Sequence, residues 1–332
     1  MGEFRRAIRL MAILFFGGGL LFAAVAWIKA DIFYFRLATE ALIFGGLALS
    51  VDLLLGKTGL LPLGQALFFG AGAYVSALVL KHWSDSLWIA LAVALSFTLM
   101  ISIVAGFIAI RSKGVYFALI SFGLAQVASK IVFNTRELGA SDGIIGVPAA
   151  SIAGNLTSAS AGGFFLCVLA FILAIYLGLQ WLMDTPIGRQ MEALRANEQR
   201  LSFLGVDPRR TKMVAFVMAA LIAGGSGALY PMLRGFVSPE LLFFQVSGNA
   251  VINVIVGGTG TFIGSLYGSA LLTVLKSVVG SYTPHHHIVI GTLFVIVVIV
   301  APKGLVGGLA PWLESLLRGA NAHDGSSDRG TP

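Results

Sequence analysis

Three short stretches carry residue types that could do chemistry, and none has the spacing that the chemistry needs. Gly56-Lys57-Thr58 resembles the end of a phosphate-binding loop. That motif requires a glycine where this chain has Val51, and the intervening Asp52 and three leucines cannot make a flexible cradle of backbone N–H groups. His285-His286-His287 offers three imidazoles, but consecutive helical residues point in different directions and do not converge on one ion, so the run reads as an interfacial loop. Cys167 is the only cysteine and lies in an apolar stretch, which excludes an intrachain disulfide or a Cys-based zinc site. No Ser-His-Asp order, paired-carboxylate site or zinc spacing occurs elsewhere. The chain is therefore expected not to be an enzyme and to hold no metal or cofactor of its own.

The remaining candidates are neutral. Gln65, Gln126, Asn249 and Asn253 fall within apolar stretches, and the two asparagines are spaced to share one helix face. They suit either hydrogen bonds between helices or the lining of a path for a polar, overall neutral solute. Charges within apolar stretches are few, namely Glu40, Asp52, Lys130 and Lys276, and each is near a stretch end. Ion-coupled carriers keep such residues at mid-membrane, so a secondary transporter is the alternative rather than the first reading.

The elements that must position these residues follow from composition. The chain of 332 residues is 57% hydrophobic and 11% charged, with a mean hydropathy of +0.91, too little polar surface for a soluble domain. An all-α integral membrane protein is expected. A spanning helix takes about 20 apolar residues. Ten stretches are candidates: 10–28, 37–55, 60–80, 87–110, 115–133, 163–183, 213–232, 241–256, 262–279 and 288–301. The first 30 residues also fit a secretory signal ending at Ala24-Val25-Ala26, but the long apolar run favours an uncleaved span. The net charge of +7 lies mainly at stretch ends, which speaks for topology and against nucleic acid. Alternating the spans puts both termini, Arg111, Lys113, segment 188–212 and Lys303 in the cytoplasm, and the 134–162 loop outside. A permease domain over 1–318 and a disordered tail over 319–332 are expected.

Gly260, Gly264 and Gly268 recur at four-residue spacing, which predicts a small face where another helix packs closely. "GKTGLLPLG" at 56–64 and "GGTGTFIG" at 257–264 echo one another weakly, either as a distant duplication or by chance in a glycine-rich chain. The sharpest departure from the apolar background is segment 188–212, where nine of 25 residues are charged. Met191, Leu194, Leu201 and Leu204 recur at near-helical spacing while Arg189, Glu192, Arg195, Glu198 and Arg200 populate other faces, which predicts an amphipathic cytoplasmic helix. Gly205 suits its end, and Asp207-Pro208 suits the start of the next helix. Such a helix either docks a partner or lies on lipid headgroups.

"MEALRANEQRLSFLGVDPRRTKMVAFVMAALIAGGSGALY" resembles the cytoplasmic loop and following span of the branched-chain amino acid ABC importer permeases of the LivM type. "LLLGKTGLLPLGQALFFGAGAY" at 53–74, "RSKGVYFALISFGLAQ" at 111–126, "GASDGIIGVP" at 139–148, "VIVGGTGTFIGSLYGS" at 254–269 and "APKGLVG" at 301–307 extend the resemblance over nearly the whole chain. It implies a type II-like permease half that pairs with a second, homologous permease, two cytoplasmic ATPase subunits that bind the ATP, and a periplasmic binding protein that sets most of the selectivity. The family also serves urea, amides and small organic acids. Carried over by position, Glu192 to Gly205 is the coupling helix, with Met191, Glu192, Leu194, Arg195, Leu201, Leu204 and Gly205 meeting the ATPase. Two departures stand out: Glu198 occupies the glycine position of the E-A-A-x-x-x-G pattern, and Asp52 stands where relatives often carry Asn.

Overall fold

The structure is a computed structural model that describes residues 2–29, 32–153, 156–282, 291–292 and 304–308. The described chain is built of α-helices: α1 Gly2–Lys29, α2 Ile32–Asp52, α3 Gln65–His82, α4 Leu87–Ala109, α5 Val115–Asn134, α6 Ala161–Asp184, α7 Pro186–Ala196, α8 Glu198–Phe203, α9 Pro208–Arg234, α10 Phe244–Gly257 and α11 Ile263–Tyr282. Seven of these, α1, α2 with its continuation, α4, α5, α6, α9 and α11, are long and apolar enough to cross a membrane.

Two of the ten expected spans come out differently. α3 begins at Gln65 rather than residue 60 and ends in Lys81-His82, so its 18 residues fall outside the seven, although it lies at the centre of the bundle. The 241–256 stretch becomes α10, whose 14 residues are fewer than the roughly 20 that a crossing needs. The 288–301 stretch apart from residues 291–292, His285 to His287 and the 319–332 tail lie outside the described residues.

Small residues set the packing. α3 runs against α9 so closely that a Cβ on Gly72 or Gly227 would overlap the backbone of Gly224 or Phe69. α2 flanks this pair, and 78% of its apolar window is buried, against 22% for α1, which is peripheral. The outer helices turn apolar side chains outward: Val104 and Phe107 on α4, Val127 and Ile131 on α5, Trp181 on α6. Exposed side chains of this kind suit lipid as solvent.

The bundle has two distinct ends. At one, the 134–162 loop folds into short strands: β1 Ile144–Ile145 pairs antiparallel with β4 Phe236–Val237, and β2 Ser151–Ala153 with β3 Leu156–Thr157. Lys81 and Trp88 tie this end together by donating to the carbonyls of Ile145 and Ile152. At the other end lie α7, α8 and the end of α2.

Candidate coupling site and polar cavity

α2 does not stop at Asp52. It continues as a π-helical segment, Leu53–Thr58, and ends at Gly59, whose φ of +74° only glycine adopts readily. The wider π turn points the Gly56 carbonyl and the Lys57 side chain at α7. Arg195 of α7 donates to that carbonyl, and the Lys57 ammonium lies 3.3 Å from the Glu192 carboxylate and 5.3 Å from the centre of the Phe262 ring. A lysine so engaged is not a phosphate ligand.

Asp52 is fully buried and accepts two backbone hydrogen bonds, from Gly260 N–H at 2.6 Å and Phe262 N–H at 2.8 Å. These amides belong to the turn between α10 and α11, where Gly260 has φ +83° and Phe262, a bulky residue, is held at φ +55°. Gly56 fits beneath: a Cβ there would lie 2.6 Å from the Gly260 nitrogen. The two echoing stretches, 56–64 and 257–264, thus meet where Gly56 packs on Gly260. Arg195, Gly56, Asp52 and the 260–262 turn form one continuous connection from α7 to the ends of α2, α10 and α11.

The single helix expected within segment 188–212 is two, α7 and α8, before α9 begins at Pro208. Thr185 accepts from Gly188 N–H at 3.4 Å and Pro186 opens α7; Asn197 is extended and caps α8 by accepting from Arg200 N–H at 3.0 Å. Gly205 at φ +78° closes the segment, and Asp207, accepting from Arg209 N–H at 2.9 Å, starts α9 as its caps predict. Glu198 holds Lys212 at 2.9 Å and Lys113 at 3.4 Å, which joins α8 to α9 and to the start of α5.

The apolar face of this segment requires a correction. Met191, Leu194 and Leu201 are 0%, 5% and 3% exposed, packed into the chain itself, whereas Leu204 is 73% exposed and its neighbour Phe203 91%. The expected stripe from Met191 to Leu204 breaks because α8 ends at Phe203 and Leu204 lies beyond the last turn. The large apolar side chains that α7, α8 and the turn after α8 leave exposed are Ile187, Phe203 and Leu204. Periodicity picked out Leu204 but not Phe203, its apolar neighbour just before the Gly205 helix stop.

The four neutral polar residues separate into three places. Asn249 and Asn253 line one cavity of about 320 Å³ at the strand end of the bundle, together with Glu40, Tyr230, Arg234 and Lys276. Arg234 donates to Glu40 at 2.6 Å there. Gln126 lies instead on α5, where it accepts from Ser129 at 3.3 Å beside Lys130 and Asn134. Gln65 is buried, and neither atom of its amide has a partner among the described residues. The glycine stripe also divides. Gly264 and Gly268 lie on α11, where a Cβ would press on the carbonyls of Gly257 and Asn253, but Gly260 belongs to the preceding turn because the helix begins only at Ile263.

A family model described as "Branched-chain amino acid transport system / permease component" matches residues 33–298. The chain belongs to this permease family. It is 30% identical over 319 residues to the "High-affinity branched-chain amino acid transport system permease protein LivM" of Escherichia coli K12, covering 89% of this chain and 75% of that relative. It is 27% identical over 123 residues to LivH of Salmonella typhimurium, covering 36% of this chain and 40% of that relative. The "Autoinducer 2 import system permease protein LsrC" of Klebsiella pneumoniae is 32% identical over 113 residues, 32% of this chain and 33% of that relative. No solved structure matches. Within this permease family, the seven apolar helices make the chain a multi-pass membrane protein, and its relatives are transport components rather than enzymes.

Proposed function

We propose that this chain is one permease half of a binding-protein-dependent ABC importer, carrying branched-chain amino acids or a related small polar solute through the inner membrane. In this reading it is type II-like, with both termini and segment 188–212 in the cytoplasm. It pairs with a second, homologous permease, binds two ATPase subunits through α7 and α8, and receives solute from a periplasmic binding protein at the strand end. ATP is held by the partners, and the remaining spans lie partly outside the described residues.

The observation that carries the reading is the connection from Arg195 to the 260–262 turn. α2, α10 and α11 bear this connection at one end and wall the polar cavity at the other. When the ATPases close, they displace α7 and α8; Arg195 passes the displacement to the Gly56 carbonyl, and Asp52 passes it to the start of α11. The same three helices then shift at the cavity, which changes access to it. A coupling of this kind needs an element with two arrangements, and the π-helical end of α2 supplies a local departure from regular helix.

Uptake of leucine into proteoliposomes containing both permeases, the ATPases and the binding protein tests the reading. Uptake that requires internal ATP supports it. Uptake driven by an ion gradient without ATP would instead favour a secondary carrier.

A further inference from the structure

We propose that the side of the bundle formed by α5 and the start of α10 is the surface on which the second, homologous permease packs. The inference rests on the importer reading above and assigns that partner a face of this chain.

The outward surfaces of the bundle differ in chemistry. Between Leu10 and Val25, α1 exposes only apolar side chains and glycine. α4 exposes Met100, Ile103, Val104 and Phe107, and its one exposed hydroxyl, Ser96, donates to the Ala92 carbonyl of its own helix. Lipid can cover faces of this kind. On α5, by contrast, Gln126, Lys130 and Asn134 recur at four-residue spacing along one side, Gln126 half-buried and the other two exposed. Val127 and Ile131 beside them are each 60% exposed. Gln245 and Asn249, four apart on α10, are exposed as well. Phe122 of α5 meets Phe244 of α10 edge to face, ring centres 5.2 Å apart, which joins the two helices into one surface. Polar side chains turned towards hydrocarbon are costly.

Depth decides what covers this surface. α10 ends at Gly257, beside the turn that Asp52 holds, and its 14 residues rise roughly 21 Å, about half of the roughly 40 Å that α9 spans. Its first turn therefore lies midway through the bilayer, where Ser247 accepts from Ala66 N–H at the start of α3 at 2.8 Å. No side chain caps α10, and Phe244 and Gln245 are exposed. Hydrocarbon offers the first N–H groups of such a helix no partner, and water at that depth would itself need a protein wall on its lipid side. Soluble subunits do not reach the middle of a bilayer; a second membrane-spanning subunit does. A homologous permease shares the plan of this chain, so a pseudo-twofold arrangement brings like faces together and pairs amide with amide. Gly123, one turn before Val127, leaves room for that approach: an added Cβ there would meet nothing within 4 Å.

The test uses the whole importer in native membranes, with the photoreactive residue p-benzoylphenylalanine in place of Val127 or, on α4, of Phe107. Irradiation is expected to shift the Val127 variant to the summed mass of the two permeases and to leave the Phe107 variant without that band. As a second measurement, Gly123→Trp is expected to lose the second permease on co-purification, and Gly178→Trp, on the outward side of α6, to keep it; neither glycine has an atom of this chain within 4 Å of an added Cβ. An adduct with the second permease from Phe107 but not from Val127, adducts of Val127 with phospholipid alone, or adducts only with another copy of this chain would overturn the proposal. The expected adduct in an assembly whose uptake needs no ATP would overturn the importer reading and leave the interface standing. ATP-driven uptake without the adduct would do the reverse.

Discussion

Gly56 and Asp52 show how closely single residues are constrained in this fold. Alanine at Gly56 would drive a methyl group against the Asp52 carboxylate and the Gly260 backbone, which cannot retreat without breaking the hydrogen bonds that Asp52 accepts. Gly56→Ala should lower the thermal midpoint of the purified permease clearly, by about 1–3 kcal/mol in stability. Gly178→Ala, where nothing lies within 4 Å of the added methyl, should leave the midpoint unchanged or raise it slightly. Equal midpoints for the two variants would mean that the clasp yields. Lys212 makes a second case. It is 2% exposed and held by Glu198, so Glu198→Gln leaves a buried ammonium facing a neutral amide, at a cost of about 2 kcal/mol. Chemical denaturation of Glu198→Gln beside Lys113→Gln separates the pairs: the exposed Lys113 should contribute little.

At the scale of elements, the segment between α6 and α9 buries Met191, Leu194 and Leu201 within the chain and leaves Phe203 and Leu204 exposed. Leu194→Asp puts a charge into the chain's own interior and should reduce folded yield. Phe203→Ser removes an exposed apolar surface and should leave yield intact while weakening ATPase co-purification. If Phe203→Ser retained full association, the partner must grip elsewhere on α7 or α8. The amphipathic pattern, the Gly205 stop and the Asp207-Pro208 start were all readable because caps and periodicity are local properties. The break at Asn197 was not readable, since a one-residue extension of the backbone leaves the apolar spacing almost intact. Nor was the Asp52 connection, which joins residues 208 apart in sequence; periodicity reports which face is apolar, not what it meets. The same limit explains the neutral polar residues: Asn249 and Asn253 share a helix and so a cavity, whereas Gln65 and Gln126 have no sequence relation that could place them.

At the scale of the whole molecule, the 27 residues of α9 separate the two ends by roughly 40 Å, close to the thickness of a bilayer with its headgroups. With Cys167 replaced by Ser, a cysteine at Ser141 should react with a membrane-impermeant maleimide added outside, and one at Arg200 only after permeabilisation. Reaction of both from outside would invert or dissolve the assigned orientation. Apolar composition alone made the membrane class and most spans evident. At α10 it gave no length: the helix has 14 residues, among them Gln245, Ser247, Asn249 and Asn253, and packs against α2, α3 and α11. A short apolar helix sheathed by neighbours and a short spanning helix look alike in composition.

Phe203 and Leu204 have a further bearing on how the subunit exists before it is joined by others. Two bulky apolar side chains, 91% and 73% exposed on a segment outside the apolar spans, make a copy without partners adhesive to other copies. The permease produced alone in detergent should therefore self-associate with rising concentration, and Phe203→Ser should return it to single copies in size-exclusion light scattering.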